Sequence, residues 1–257
     1  MSLKINLTGD GMVPGNIMLT PDWPAPATVR ACSTTRLGGV SGVPYDSLNL
    51  GSHVGDDPLH VRDNRQRLVA AAGLPVMPHW LEQVHGTQVI NLDQTSPASL
   101  TGDAAYTTRK DRVCAVMTAD CLPVLFCSAD GSEVAAAHAG WRGLQAGVLE
   151  QTLRHFRARP ANILAWMGPA IGPQQFEVGG EVREAFMQGD PAADCAFIPR
   201  NGKFLADIYQ LARLRLQAAG VSQVFGGNDC TVSDAGRFFS YRRDGTTGRM
   251  ATLIWLI

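Results

Sequence analysis

The 257-residue chain is defined first by what it lacks. It has no C-x-x-C pair: the six cysteines, Cys32, Cys114, Cys121, Cys127, Cys195 and Cys230, lie far apart. Nothing marks a disulfide framework, and a chain of this size does not need one. Most of the cysteines therefore read as small buried residues. No apolar run approaches the roughly 18 residues of a membrane span, so no membrane partner is expected. The opening stretch MSLKINLTGDGMVPGN lacks the apolar core of a signal peptide, and the expected location is cytoplasmic. Charged residues make up only 18% and nearly cancel, with a net charge of −1. Without a basic stripe, nucleic acid is not an expected partner. Internal repeats, low-complexity tracts and long Pro/Ser linkers are also missing.

What is present is an ordinary globular composition, 45% hydrophobic, in a chain long enough to bury a substantial core. Strand-like runs are VRACSTT, QVINL, VCAVMTA, PVLFCS, EVAAAHA and NILAWMG. DDPLHVRDNRQRLVAAAGL reads as a helix capped by Asp57, with Pro58 in its first turn and Gly73 at its end. LQAGVLEQTLRHFRA, EVREAFM and FLADIYQLARLRLQAAG read as further helices, and RFFSYRRDGTTGRMATLIWLI as a terminal hairpin. Strands and helices intermix without strict βαβ alternation, which predicts an α+β fold with mixed sheets. Residues 1–17 read as a variable lead-in, and 18–257 as a single domain.

The stretch MTADCLPVLF is the first with chemical content. Proline cannot donate to a sheet ladder, so Pro123 divides the run into two strands. One ends near Thr118 and the other begins near Pro123. Asp120 and Cys121 then sit at the junction, where a side chain can face a cleft. They also read as a solvated acid beside a buried thiol. In AAAHAGWRG, His138 closes a strand and Gly140 and Gly143 bracket Arg142 ahead of a helix. That turn reads either as an anion site or as a tight turn with a surface arginine. His85 precedes a turn at Gly86. Two histidines with Cys121 would give three ligands and an open fourth position, the pattern of a catalytic zinc. Spacing alone does not single these three out.

Eight segments in one order, STTRLGGVS, NLGSHVGDDP, QVHG, GDAAYT, TADCLPVLF, AHAGWRG, GPAIGPQQFEVG and FFSYRRDGTTGR, resemble the YfiH-like family. That family is also labelled polyphenol oxidase or laccase-domain protein, and some members peptidoglycan editing factor. The resemblance implies a layered α/β/β/α sandwich and a zinc site of His85, Cys121 and His138. It implies purine nucleoside phosphorylase activity on adenosine, inosine and methylthioadenosine, with adenosine deamination also attributed to relatives. Purine nucleoside and phosphate are then the expected partners.

The residues bear on these labels. Multicopper oxidation relies on about ten histidines in His-x-His pairs; this chain has six histidines and no such pair. Three N/S ligands suit redox-inert zinc, with copper an adventitious occupant. For phosphorolysis, Arg142 and Arg36 are the expected anion-binding residues. Ser240 and Arg242, two apart on the expected hairpin arm, would share a face at the pocket. For deamination, Asp120 or Asp103 would shuttle protons, although Asp103 also reads as a turn cap. The alternative is an amidase-like hydrolase acting on peptidoglycan precursors, with Cys121 as nucleophile and His138 or His85 as base.

Overall fold

Each of the six apolar runs expected as strands up to Gly168 forms one in the computed structural model, which describes residues 17–94 and 100–257. The expected lead-in lies outside these residues, Ile17 apart. In chain order the first half contains β1 (Met18–Leu19), β2 (Val29–Thr34), α1 (Pro58–Ala72), β3 (Val89–Asn91), β4 (Ala104–Thr107), β5 (Val113–Thr118), β6 (Leu122–Ser128) and β7 (Val134–Ala139). The second contains α2 (Trp141–Ala146), α3 (Val148–Leu153), β8 (Ile163–Met167), β9 (Glu177–Val178), α4 (Gly180–Gly189), β10 (Phe197–Arg200), β11 (Lys203–Ala206), α5 (Ile208–Ala218), β12 (Gln223–Gly226), α6 (Tyr241–Asp244) and β13 (Met250–Leu256). Among the described residues no helix is long and apolar enough to cross a membrane.

Four strands, ordered β1-β2-β13-β5, form an antiparallel sheet. Six more, ordered β12-β8-β6-β7-β4-β3, form a mixed sheet with parallel pairs at both edges. Their facing sides bury Val116, Leu125, Cys127, Val134, Trp166 and Ile254 together. The other face of the mixed sheet packs through Val124, Phe126 and Ala165 against α2 to α5, through Leu144, Val148, Phe186 and Leu211. The outer face of the four-stranded sheet meets Leu68 of α1 through Ala115, Leu253 and Trp255. The layers are therefore α/β/β/α, the expected mixed α+β sandwich. Because β5 to β8 are covered on both sides, their residues are buried without alternation.

Three local readings are corrected. The terminal hairpin does not form. β13 enters the middle of its sheet, with β2 on one edge and β5 on the other, so no edge is left for the preceding segment. Phe238–Ser240 instead lead into the short α6, with Ser240 as its N-cap. Second, the helix expected over LQAGVLEQTLRHFRA is broken into α2 and α3 by Gly147, whose φ of 101° is a glycine conformation. Third, Phe204–Ala206 belong to β11; Asp207 then caps α5 by accepting from the Gln210 amide.

Candidate metal centre and its cleft

Cys121 sits between β5 and β6, which belong to different sheets, so the chain must cross from one layer to the other there. Asp120 makes that crossing with a φ of 94°. Its conformation is held from both sides: Oδ1 accepts from Thr231 Oγ1 at 2.6 Å and Oδ2 from the Arg242 amide at 2.6 Å. The Asp120 carbonyl accepts from the Ile171 amide. His138 lies on β7, whose register places it opposite Pro123, and so beside the junction.

His85 comes from the loop before β3, also in the left-handed region with a φ of 60°. A non-glycine residue there costs on the order of 1–3 kcal/mol and must be held by its surroundings. Asp103 does so. Its carboxylate accepts from the backbone amides of Val84, His85 and Gly86 at 3.2, 2.9 and 2.7 Å. The same carboxylate bonds Nδ1 of His138 at 2.8 Å, and the Asp103 carbonyl accepts from the His138 amide. One fully buried carboxylate thus fixes both histidines. Gln83 anchors the other end of the loop. Its side-chain amide exchanges two hydrogen bonds with the backbone of Met117, on the free edge of β5, at 2.8 and 2.7 Å.

The result is a group in which the nearest ligand atoms of His85, Cys121 and His138 all lie within 4.8 Å of one another. Cys121 Sγ is 3.8 Å from His85 Nε2, and the two imidazole rings meet edge to face at 4.8 Å. Tetrahedral ligation by nitrogen and sulfur at about 2.1 and 2.3 Å needs neighbouring donors roughly 3.5 Å apart, so the donor set fits a metal ion with little movement. The Asp103 bond leaves Nε2 of His138 as the nitrogen available to a metal, the carboxylate–histidine arrangement usual behind a metal ligand.

The electrostatics agree. Burial alone would raise the Cys121 thiol, but the charges and hydrogen bonds of His138 and then His85 outweigh it and bring it down to about 6. Burial likewise opposes a charge on His138, which the Cys121 thiolate and Asp103 overcome, raising it to about 9. By contrast Cys32 and Cys127, buried without such neighbours, are pushed up to about 12.

The two glycines flanking Trp141-Arg142 are required by close approach. A Cβ at Gly140 would lie 3.0 Å from the Cys121 sulfur and 2.9 Å from His85 Cδ2; one at Gly143 would lie 2.8 Å from the Gly86 carbonyl oxygen. They let α2 press its N-terminus against the ligand loop.

The three ligand candidates open onto a cleft of about 350 Å³, whose walls also include His53, Gln83, Thr118, Tyr241 and Arg249. The other expected residues stand elsewhere. Asp103 is enclosed behind His85 and His138. Arg36 gives Nε to the Asp46 carbonyl at 2.8 Å and pairs with its carboxylate at 3.2 Å, while stacking on Phe239. Arg142 is exposed and stacks on Trp141 at 4.5 Å. Ser240 is fully buried at the start of α6. The Arg242 guanidinium reaches the carbonyls of Gln175 and Glu177. Sequence pattern alone assigns none of His53, Gln83, Tyr241 and Arg249 to the site. Arg249 ends the segment FFSYRRDGTTGR, so the signal lay inside a quoted motif, but the hairpin reading drew attention to Arg242.

Residues 30–257 match the family described as multi-copper polyphenol oxidoreductase laccase. The chain is 63% identical over 240 residues to the Escherichia coli (strain K12) protein named purine nucleoside phosphorylase YfiH, covering 93% of this chain and 99% of that one. It is 56% identical to the Pseudomonas aeruginosa protein named purine nucleoside phosphorylase PA4543, covering 94% and 99%. The crystal structure of Neisseria meningitidis protein NMB0706 superposes with a TM-score of 0.90 at 52% identity, covering 93% of this chain and 99% of that one. YlmD from Geobacillus stearothermophilus does so at 0.86 and 33% identity, covering 94% and 97%. By sequence along nearly its whole length, and by fold, the chain belongs to the YfiH family described as multi-copper polyphenol oxidoreductase laccase.

Proposed function

We propose that the protein is a zinc-dependent purine nucleoside phosphorylase, cleaving adenosine, inosine and methylthioadenosine with phosphate. The observation that carries the reading is the His85–Cys121–His138 group opening onto a 350 Å³ cleft, in a chain 63% identical to a protein named for that activity. A cleft of that size matches the roughly 300–1,000 Å³ of small-molecule sites. Two imidazoles and a thiolate suit zinc, and six histidines without a His-x-His pair do not supply a multicopper cluster. Bound zinc would supply a Lewis acid at the cleft floor that polarises a substrate oxygen. His138 is oriented for ligation by Asp103, and Asp120 fixes the turn that presents Cys121.

Adenosine deamination is a further activity of the proposed site, but phosphorolysis has the stronger support. Deamination needs a carboxyl group free to carry a proton. Both oxygens of Asp103 and both of Asp120 already accept hydrogen bonds.

The test is turnover of adenosine and inosine with metal analysis on the same sample. Base release that requires phosphate, with about one zinc per chain, is the expected result. Strong phenol oxidation with stoichiometric copper would overturn it. A second reading, an amidase-like hydrolase acting on peptidoglycan precursors, is favoured by one observation: the Cys121 thiol is lowered to about 6 beside His138, as a nucleophile requires. Cys121→Ala separates the two. Loss of metal and phosphorolysis together supports the zinc reading; retained metal with lost activity supports the nucleophile.

A further inference from the structure

The metal cleft does not end at the ligands. A second hollow of about 550 Å³ shares His53, Tyr241 and Arg249 with it, so the two are lobes of one groove with Arg249 in the dividing wall. Among the described residues, Arg249 is the one arginine lining the metal lobe. Its placement is built in. The backbone amide donates to Asn49 Oδ1 at 2.9 Å and the carbonyl accepts from the Leu50 amide at 3.1 Å. Nη1 donates to the carbonyls of Thr247 and Gly248, both at 3.0 Å. Its aliphatic stem lies over Gly51, where a Cβ would come within 2.8 Å of Cγ.

These contacts hold the guanidinium through neutral carbonyls. None of the ion pairs found among the described residues involves Arg249. Asp244, the acid in the second lobe, pairs with Arg243 at 2.7 Å. His53 stands beside Arg249. Burial and the charges of Arg249 and Arg65 keep it below the usual imidazole range, so at neutral pH it offers one N–H donor and no charge. Each lobe also has in its wall a threonine hydroxyl, Thr118 in the first and Thr247 in the second, buried without a hydrogen-bond partner among the described residues. A half-buried, pre-positioned guanidinium with no carboxylate partner binds oxyanions.

We propose that Arg249 and His53 form a phosphate subsite beside the metal group, occupied by the inorganic phosphate that attacks the nucleoside. The assignment rests on the phosphorylase reading. In the reaction an oxygen of hydrogen phosphate forms a bond to the ribose anomeric carbon as the bond from that carbon to the purine nitrogen breaks; the electron pair leaves with the base, which takes up the proton that the phosphate gives up. Arg249 stays protonated throughout and holds the negative charge of the phosphate at the lobe boundary.

The experiment has two arms. In the first, inorganic phosphate is titrated calorimetrically into the zinc-loaded protein without nucleoside. Binding that weakens about tenfold or more in Arg249→Ala, and by a smaller factor in His53→Ala, is expected, with zinc content unchanged in both. His53 is only partly covered, so its variant carries little folding risk. In the second arm, KM for phosphate is expected to rise by a similar factor with KM for inosine nearly unchanged, and Arg249→Lys to restore part of the loss. No phosphate binding in the wild type, or equal binding in Arg249→Ala, overturns the subsite. Phosphate binding that depends on Arg249 in a protein without nucleoside turnover leaves the subsite standing and overturns the phosphorylase reading instead.

Discussion

At the scale of single residues, the site depends most on Asp103. It touches no open space, yet it bonds three loop amides and the imidazole of His138, a ligand candidate. Asp103→Asn keeps its shape but presents an NH2 group where donors already point. Metal affinity is expected to fall 10- to 100-fold, read by competition with a chromogenic chelator. Unchanged affinity would show that His138 does not need its carboxylate. A second expectation concerns Cys121 in metal-free protein. An ordinary thiol loses its nucleophilic form as pH falls below about 8.5. Here the thiol is lowered to about 6, so the thiolate persists down to that pH and is lost only as pH drops through it. Alkylation by iodoacetamide should show a midpoint near 6; a midpoint above 8 would refute the pairing with His138. Both roles were only half visible in the sequence. Asp103 looked equally like a turn cap because the histidine it holds is 35 positions away.

At the scale of elements, the site is a product of where strands end. β5 and β6 belong to different sheets, and the crossing between them leaves Cys121 at the mouth of the sandwich. Pro123 announced that break in the sequence, since it cannot serve inside a continuous ladder. The helix behind the site needs its glycine. Gly140→Ala would push a methyl against the Cys121 sulfur at 3.0 Å and His85 at 2.9 Å. Overpacking of this kind costs about 1–3 kcal/mol. The expected result is a folded protein with a modestly lower Tm and little bound metal, measured by calorimetry and metal analysis. The hairpin misreading belongs to this scale too. FFSYRRDGTTGRMATLIWL has apolar arms and a turn, and local pattern cannot reveal that both edges of β13 are taken by β2 and β5.

At the scale of the whole molecule, the two sheets share one apolar layer, and the His85–Cys121–His138 group sits at its rim. Leu125, fully buried in that layer on β6, pairs across to Ala136 of β7, the strand that carries His138. Leu125→Ala should cost about 2–5 kcal/mol of unfolding free energy, read as a lower urea midpoint. The sequence by itself determined the layer composition: unbroken apolar runs for strands covered on both faces, α1 with its caps, and the family's eight ordered motifs. It also held the three ligand candidates, but only the resemblance joined them, because residues so far apart carry no spacing signal. Only the tertiary structure decided which polar groups share the cleft. Arg36, Arg142 and Arg242 have the same chemistry as Arg249. What separates them is that Arg249 alone of the four lines the cleft, and that depends on chain segments brought together from opposite ends of the sequence.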